Sequence, residues 1–360
     1  MTTITEFIVR KKNLNETRVA TREAPALKDG EILAKIDRFA LTANNVTYGV
    51  VGERIGYWKF FPVAQEGDGI NPVWGFADVT ESNHPDVPVG DRLYGYWPMA
   101  SHLVMAPAKV SDARLFDGAA HRAELPPVYN SYARVNADKH YDAEMDDDRM
   151  VLMPLYATSF CLYDFMKDNN WFDARQIIMP SASSKTAIGT AYALKADPAA
   201  PRLVGLTSKR NCKNVARLKL YDDVLTYDEI DKIDAKTAAV IIDMSGDDDV
   251  LGKLHKRLGD KMKYTSNVGA THYDANAMGP DFIRERSAMF FAPGHIQKRA
   301  QEWGPGAFEQ QAFGFWKDAA VKSRDWLIIR REQGADAVTK AWSDVYEGKT
   351  PADTAWVVGF

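Results

Sequence analysis

The first chemistry this sequence offers lies in two clusters of small polar side chains. Ser181, Ser183, Ser184 and Thr186 crowd one short segment around Lys185. A second cluster, Thr207, Ser208, Lys209, Arg210 and Asn211, follows one helix and one strand further on. Hydroxyls and free N–H groups at the start of a helix bind phosphate. Cations and hydroxyls with no carboxylate among them attract a phosphate that a carboxylate would repel. The elements that would position these groups are readable. The apolar run Gln176-Ile-Ile-Met-Pro180 predicts a strand, 188–195 a helix, and Arg202-Leu-Val-Gly-Leu206 a second strand. Strand, tight loop, helix and strand make the βαβ unit that binds dinucleotides. A chain that binds NAD usually places a carboxylate at the tail of the second strand, on the ribose 2′-hydroxyl. Hydroxyls, two cations and an amide stand there instead, so the expectation is a site for the 2′-phosphate of NADPH (NADP+).

Each part has a plainer reading. The loop lacks the glycines of G-x-G-x-x-G, so alone it is an N-capped helix start. Lys209 and Arg210 alone are solvated surface charges. Ser184-Lys-Thr186 hints at a P-loop, but that motif's glycines are absent too. Only the order and spacing together carry the dinucleotide reading.

A chain of 360 residues suggests two domains, and a hydrophobic fraction of 46% suffices for large cores. A net charge of −4 with mixed signs gives no footprint for nucleic acid or anionic membranes. Cys161 and Cys212 cannot form a disulfide framework, and seven histidines show no metal-ligand spacing. With no secretory signal and no membrane-length apolar run, the expectation is a soluble cytoplasmic protein acting on a small molecule.

Residues 1 to about 110 read as β-rich. Glu31–Phe39 alternates at period two, and Trp74–Thr80, Arg92–Tyr96 and His102–Ala106 follow as strands. Residues 111–148 are polar and irregular, and Asp146-Asp-Asp148 reads as a solvated cap or linker. Helical spacing returns over Pro154–Asn169. Strands at 176–180, 202–206, 239–242 and 264–268 then alternate with helical segments near 188–195, 211–219 and 249–258, as in a parallel sheet wrapped by helices. Residues 296–348 look helical and 354–360 look like a last strand.

Several of these segments resemble the medium-chain dehydrogenase/reductase superfamily, over nearly the whole chain. Gly30-Glu-Ile-Leu-Ala-Lys-Ile36 with Ala40-Leu-Thr-Ala-Asn-Asn45 is similar to its opening strand and active-site loop. Pro88-Val-Gly-Asp-Arg-Leu93 resembles its "VGDRV" turn, and Ser101-His-Leu-Val-Met-Ala-Pro107 its "AEYVVVPA" strand. Met153-Pro-Leu-Tyr-Ala-Thr-Ser-Phe160 resembles the "LPLTGLTAY" helix. Ile177-Ile-Met-Pro-Ser-Ala-Ser-Ser184 aligns with "VLVTGASG", and Asp353–Phe360 with the last strand. The run Ser287-Ala-Met-Phe-Phe-Ala-Pro293 and the serine-rich loop look like a bacterial branch of the superfamily to which no reaction is attached. The resemblance implies an α/β fold: a β-rich GroES-like catalytic domain, 1–148 with 296–360, and a Rossmann-type doubly wound parallel-sheet NADP-binding domain, 149–295. The zinc-ligand cysteines of zinc-dependent members are missing, which points to zinc-independent quinone oxidoreductases and enoyl or enone reductases, and to no metal.

In such enzymes the cofactor carries the hydride chemistry, and the protein orients it and stabilises the developing oxyanion. The resemblance places Asn44-Asn-Val-Thr-Tyr48 and Gly56-Tyr-Trp58 where the reductases hold their polar groups. Tyr48 and Tyr57 are the candidate proton donors, with Asn44, Asn45 and Thr47 as hydrogen-bond partners. Trp58, Phe60 and Phe61 read either as a substrate wall or as core. Asn267 to Gly269 and Phe291 are candidate nicotinamide contacts, and a homodimer is implied. Two other functions stay open: a non-redox lyase or hydratase on the same fold, and a non-catalytic NADPH-binding protein.

Overall fold

The structure is a computed structural model and describes residues 2–139, 141–268, 279 and 281–360. The chain divides into two compact units, Met1–Val151 with Ile328–Phe360, and Leu152–Leu327.

In the first unit, period-two segments pair as expected. Strand Ile32–Leu41 lies antiparallel to Pro72–Ser82, which pairs with Arg92–Pro98. These belong to a nine-stranded sheet among the described residues, and a three-stranded sheet holds Thr3–Arg10 and Asn13–Glu23. Their inward faces, with Phe7, Phe39, Tyr96, Trp342 and Trp356, form one apolar core. Strand pairing is close where Gly75 passes Phe39. A Cβ on Gly75 would stand 2.5 Å from the Arg38 carbonyl oxygen, so only glycine fits.

The acidic run Asp146–Asp148 is not solvated as expected. It opens the helix Asp146–Asp168 and is buried, because Asp146 accepts from Arg92 at 3.0 Å and from Tyr141 at 2.8 Å, while Asp147 pairs with Arg331. Charges are buried here because each has a partner.

The second unit is built on a six-stranded parallel sheet. Numbered within the sheet in chain order, the strands Gln176–Pro180, Arg202–Thr207, Asp223–Thr226, Ala239–Asp243, Met262–Asn267 and Ser287–Met289 lie 3-2-1-4-5-6. That is the doubly wound order. Period two divides the strands between faces: Ile177, Met179, Val240 and Ile242 enter one core, and Ile178, Val204, Ala239 and Ile241 another.

One domain boundary and one element differ from expectation. The return to the first unit comes at Ile328 rather than 296. Helices Ala292–Trp303 and Ala307–Ser323 stay with the second unit because they pack on Asp146–Asp168. Phe308 and Ala312 cover Phe160 and Cys161, and the Asp164 carboxylate holds His295 at 2.5 Å and Arg299 at 2.6 Å. Residues 328–333, expected to be helical, form the strand Ile328–Gln333, parallel to Thr354–Gly359. Pairing along a strand outweighs local periodicity there.

Candidate functional site

Each unit brings one group of the expected residues together. In the second unit, the strand Gln176–Pro180 ends at the point where the strand order reverses, which is where such sheets bind ligands. Ser181 takes the left-handed conformation, φ 58°, that a glycine would take more cheaply. Its N–H donates to the Tyr227 hydroxyl at 3.1 Å. Ser184 caps the helix Lys185–Ala196, its Oγ accepting from the Ala187 N–H at 3.3 Å. Lys185 and Thr186 form the first turn of that helix.

Ser183 joins the loop to the second strand: its Oγ accepts from Asn211 Nδ2 at 3.1 Å and from Thr207 Oγ1 at 3.3 Å. The two polar clusters therefore form one network. The missing loop glycines are compensated next door. A Cβ on Gly205 would meet that of Ala182 at 3.0 Å, and one on Gly189 would meet Ser159 Oγ and the Tyr156 ring at 2.5 Å, so close packing rests on those glycines instead.

Ser208 is the N-cap of the helix Lys209–Arg217, and its Oγ is buried without a hydrogen-bond partner. A buried hydroxyl left unsatisfied is costly unless a ligand meets it. Lys209 and Arg210 are exposed on the first turn, and Lys209 pairs with Asp228 at 2.7 Å. That pairing corrects the picture of a carboxylate-free patch: Asp228 reaches the lysine from the segment after the third strand.

At the carboxyl end of the fifth strand, Asn267 donates to the Ala288 carbonyl at 3.3 Å, while its Oδ1 is buried without a partner. Gly269 lies outside the described residues. Phe291, expected beside the nicotinamide, is the N-cap of the helix Ala292–Trp303 and is 62% exposed.

Two residues here were not singled out from sequence. Tyr227, after the third strand, meets the loop N–H. Asp243, at the end of the fourth strand, accepts from Ser245 and Gly246, and burial pushes its carboxyl above the usual range. Position at a strand's carboxyl end was the signal available for both.

The donor set fits a phosphorylated dinucleotide. Two helix N-termini, hydroxyls on both strand ends and an unpartnered Ser208 Oγ converge on one edge of the sheet.

In the first unit, Thr42 and Asn45 form a capping box that starts the helix Ala43–Val50. The Asn45 side chain is thereby engaged by backbone groups of other residues: Oδ1 accepts from the Thr42 N–H at 2.8 Å, and Nδ2 donates to the Pro72 carbonyl at 3.4 Å. It is a structural residue, not a partner of Tyr48. Asn44 lies close enough to the Tyr48 phenol to oppose the effect of burial on it, and Thr47 is half-buried on the same helix.

Tyr48 and Tyr57 stand together with ring centroids 4.8 Å apart, among Tyr96, Phe60, Trp74 and Tyr129. The Trp74 indole donates to the Tyr48 hydroxyl at 3.3 Å, and the Tyr57 and Tyr129 hydroxyls share a hydrogen bond of 3.0 Å. Burial pushes both candidate phenols up, so they remain protonated donors through the neutral range. The neighbouring Tyr96 hydroxyl is buried without a partner.

Trp58, Phe60 and Phe61 are core residues, and a Cβ on either Gly52 or Gly69 would strike the Trp58 ring. His102 is half-buried beside Ser101, and burial lowers its ring pKa. Among the described residues, no three His, Cys, Asp or Glu side chains are grouped to hold a metal ion, and no helix is long and apolar enough to cross a membrane.

A family model described as "Protein of unknown function (DUF2855)" matches residues 39–351. No curated protein matches the chain. Solved structures do, at low identity over almost the full length. CurA from Vibrio vulnificus, in complex with NADPH, is 13% identical, with 99% of this chain and 98% of that one covered and a TM-score of 0.61. A mutant form of enoyl thioester reductase from Candida tropicalis is 10% identical, covered at 100% and 100%, with a TM-score of 0.58. A putative NADPH:quinone reductase from Bacillus thuringiensis is 10% identical, covered at 100% and 100%, with a TM-score of 0.60. The likeness establishes the shared fold, a GroES-like and a Rossmann-type domain as in medium-chain dehydrogenases/reductases.

Proposed function

We propose that this chain, which belongs to the DUF2855 family, is a zinc-independent, NADPH-dependent oxidoreductase. Its substrate would be a small conjugated carbonyl compound, an enone or enoyl compound, or a quinone. The observation that carries the reading is the hydroxyl-rich carboxyl edge of the sheet, where Ser208 Oγ is buried without a partner at a helix N-terminus. The NADPH and reductase names of the structural neighbours support it.

Ser181, Ser183, Ser184, Lys185 and Thr186 would hold the pyrophosphate at the start of the helix Lys185–Ala196. Thr207, Ser208, Lys209, Arg210 and Asn211 would hold the 2′-phosphate, with Tyr227 beside the loop. Asn267 would meet the nicotinamide amide. When bound, NADPH supplies a hydride. In the first unit, a buried phenol of the Tyr48–Tyr57 pair keeps its proton at neutral pH, donates it to the substrate anion, and is screened from water by Phe60, Trp74, Tyr96 and Tyr129. A cytoplasmic homodimer belongs to the same proposal.

Calorimetry with NADPH and NADH, followed by enones and quinones at the NADPH absorbance band, tests it. NADPH should bind at least tenfold more tightly than NADH. Equal affinities refute the 2′-phosphate argument, and turnover of an added substrate without change at that band points to lyase or hydratase chemistry.

A further inference from the structure

Tyr48 and Tyr57 stand as alternatives by sequence, but their hydrogen bonds are not alike. The Tyr48 hydroxyl meets the Trp74 indole at 3.3 Å. An indole N–H can only donate, so the Tyr48 oxygen is the acceptor and its own proton remains for another group. The Tyr57 hydroxyl meets another phenol, Tyr129, at 3.0 Å, and either can donate. We infer that Trp74 is the positioning residue that makes Tyr48 the proton donor, with Tyr57 tied to Tyr129 as its neighbour. This rests on the reductase reading above.

Trp74 is well placed for that work. It sits in the strand Pro72–Ser82, with its ring 5.7 Å from Tyr94 in a stacked arrangement and 5.3 Å from Tyr96. The indole therefore has little freedom to turn its N–H elsewhere. Once Tyr48 gives up its proton, the same N–H faces a phenolate, and a hydrogen bond to an anion is roughly twice as strong as one to a neutral oxygen. Asn44 acts in the same sense, and both oppose the effect of burial. Around Tyr48 stand Tyr57 and Tyr129 from two short helical turns, and Tyr94 and Tyr96 from the strand Arg92–Pro98. All are phenols raised by burial. The Trp74 N–H thus stabilises the phenolate where its other titratable neighbours do not.

The test uses the full chain with a difluorinated tyrosine, whose phenol titrates in the working pH range, placed at position 48 or at position 57. Fluorine resonance follows each phenol as pH rises, with no substrate present. Trp74→Phe keeps a ring in the stack and removes the N–H. The midpoint at position 48 should rise by about 1, a tenfold change, and that at position 57 should stay. A midpoint unmoved at 48, or moved equally at 57, overturns the inference. If Trp74→Phe does not fold, a benzothienylalanine at 74, which has the indole's shape without its N–H, should produce the same rise; no rise overturns the inference. With NADPH and 1,4-benzoquinone, Trp74→Phe should lower kcat about tenfold at unchanged KM. A shifted midpoint with no turnover of quinones or enones by the unaltered chain refutes the reductase reading, and with it the donor role, while the Trp74–Tyr48 pairing stands.

Discussion

Replacing Ser208 by Asp puts a carboxylate at the point where the 2′-phosphate is proposed to sit. Asp is as good an N-cap as Ser, and its charge suits a helix N-terminus, so the helix Lys209–Arg217 should persist. The cost falls on the ligand. At about 5 Å and an effective dielectric of about 40, between surface and bulk values, two unit charges repel by about 1.7 kcal/mol. A phosphate monoester carries about 1.5 to 2 negative charges at neutral pH, which raises the penalty to about 3 kcal/mol, roughly a hundredfold in Kd. NADH has a hydroxyl at that position, which the new carboxylate can accept from, for a gain of about 1 kcal/mol. The preference should therefore swing from NADPH towards NADH by roughly a thousandfold. Titration calorimetry of both nucleotides measures it, and added salt should shrink the effect. Thermal unfolding of the free protein checks that Ser208→Asp is folded. A folded variant in which both affinities move together, or neither moves, would refute the placement of the 2′-phosphate.

Asp228→Asn should release Lys209 from its 2.7 Å pairing and tighten NADPH binding by about two- to fivefold without affecting NADH; calorimetry again decides. His255 is buried, with Nδ1 accepting from the Ile283 N–H at 2.9 Å and Nε2 2.9 Å from Thr265 Oγ1. Burial, helped by Arg286, lowers its pKa from 6.5 to about 4. Between those values the native state binds fewer protons than the unfolded chain, so stability rises with pH there. The contribution, about 3 kcal/mol, is full above pH 6.5 and lost as pH falls towards 4, and denaturation of His255→Gln across that window should show the slope abolished. Burial works against the Asp164 charge, but His295 and Arg299 hold the carboxyl below its ordinary value. Its stabilisation is present above that ordinary value and fades as pH falls through the lowered one. Asp164→Ala should cost about 3 to 5 kcal/mol in urea denaturation, because Arg299 is left buried without its main partner. A loss under about 1 kcal/mol would mean that Asp168 and Glu302 suffice for Arg299.

Much of the fold could be read from the chain because short-range patterns carry it. Period two marked Ile32–Leu41, and the apolar runs at Gln176–Pro180 and Ala239–Asp243 marked strands buried on both faces. Small polar residues after Gln176–Pro180 and after Arg202–Thr207 marked the sheet edge where Ser184 caps one helix and Ser208 stands at the N-cap position of another. What resisted reading depends on partners distant in sequence. The strand Ile328–Gln333 exists because Thr354–Gly359 lies beside it. Asp146–Asp148 is buried because Arg38, Arg92 and Arg331 reach it from elsewhere. Asp228 beside Lys209, and Tyr227 on the Ser181 N–H, are likewise products of folding.

The same division holds at the tyrosines. The resemblance of the segments around Tyr48 and Tyr57 to the reductases' active-site loop singled out two phenols. Which one has an N–H behind its oxygen was decided by the register of Pro72–Ser82, which brings Trp74 to Tyr48. Hydrogen bonds and ion pairs act over a few ångströms in space, whereas sequence patterns act over a few residues along the chain. Elements and their caps could therefore be read directly, and the electrostatics of the site only after folding.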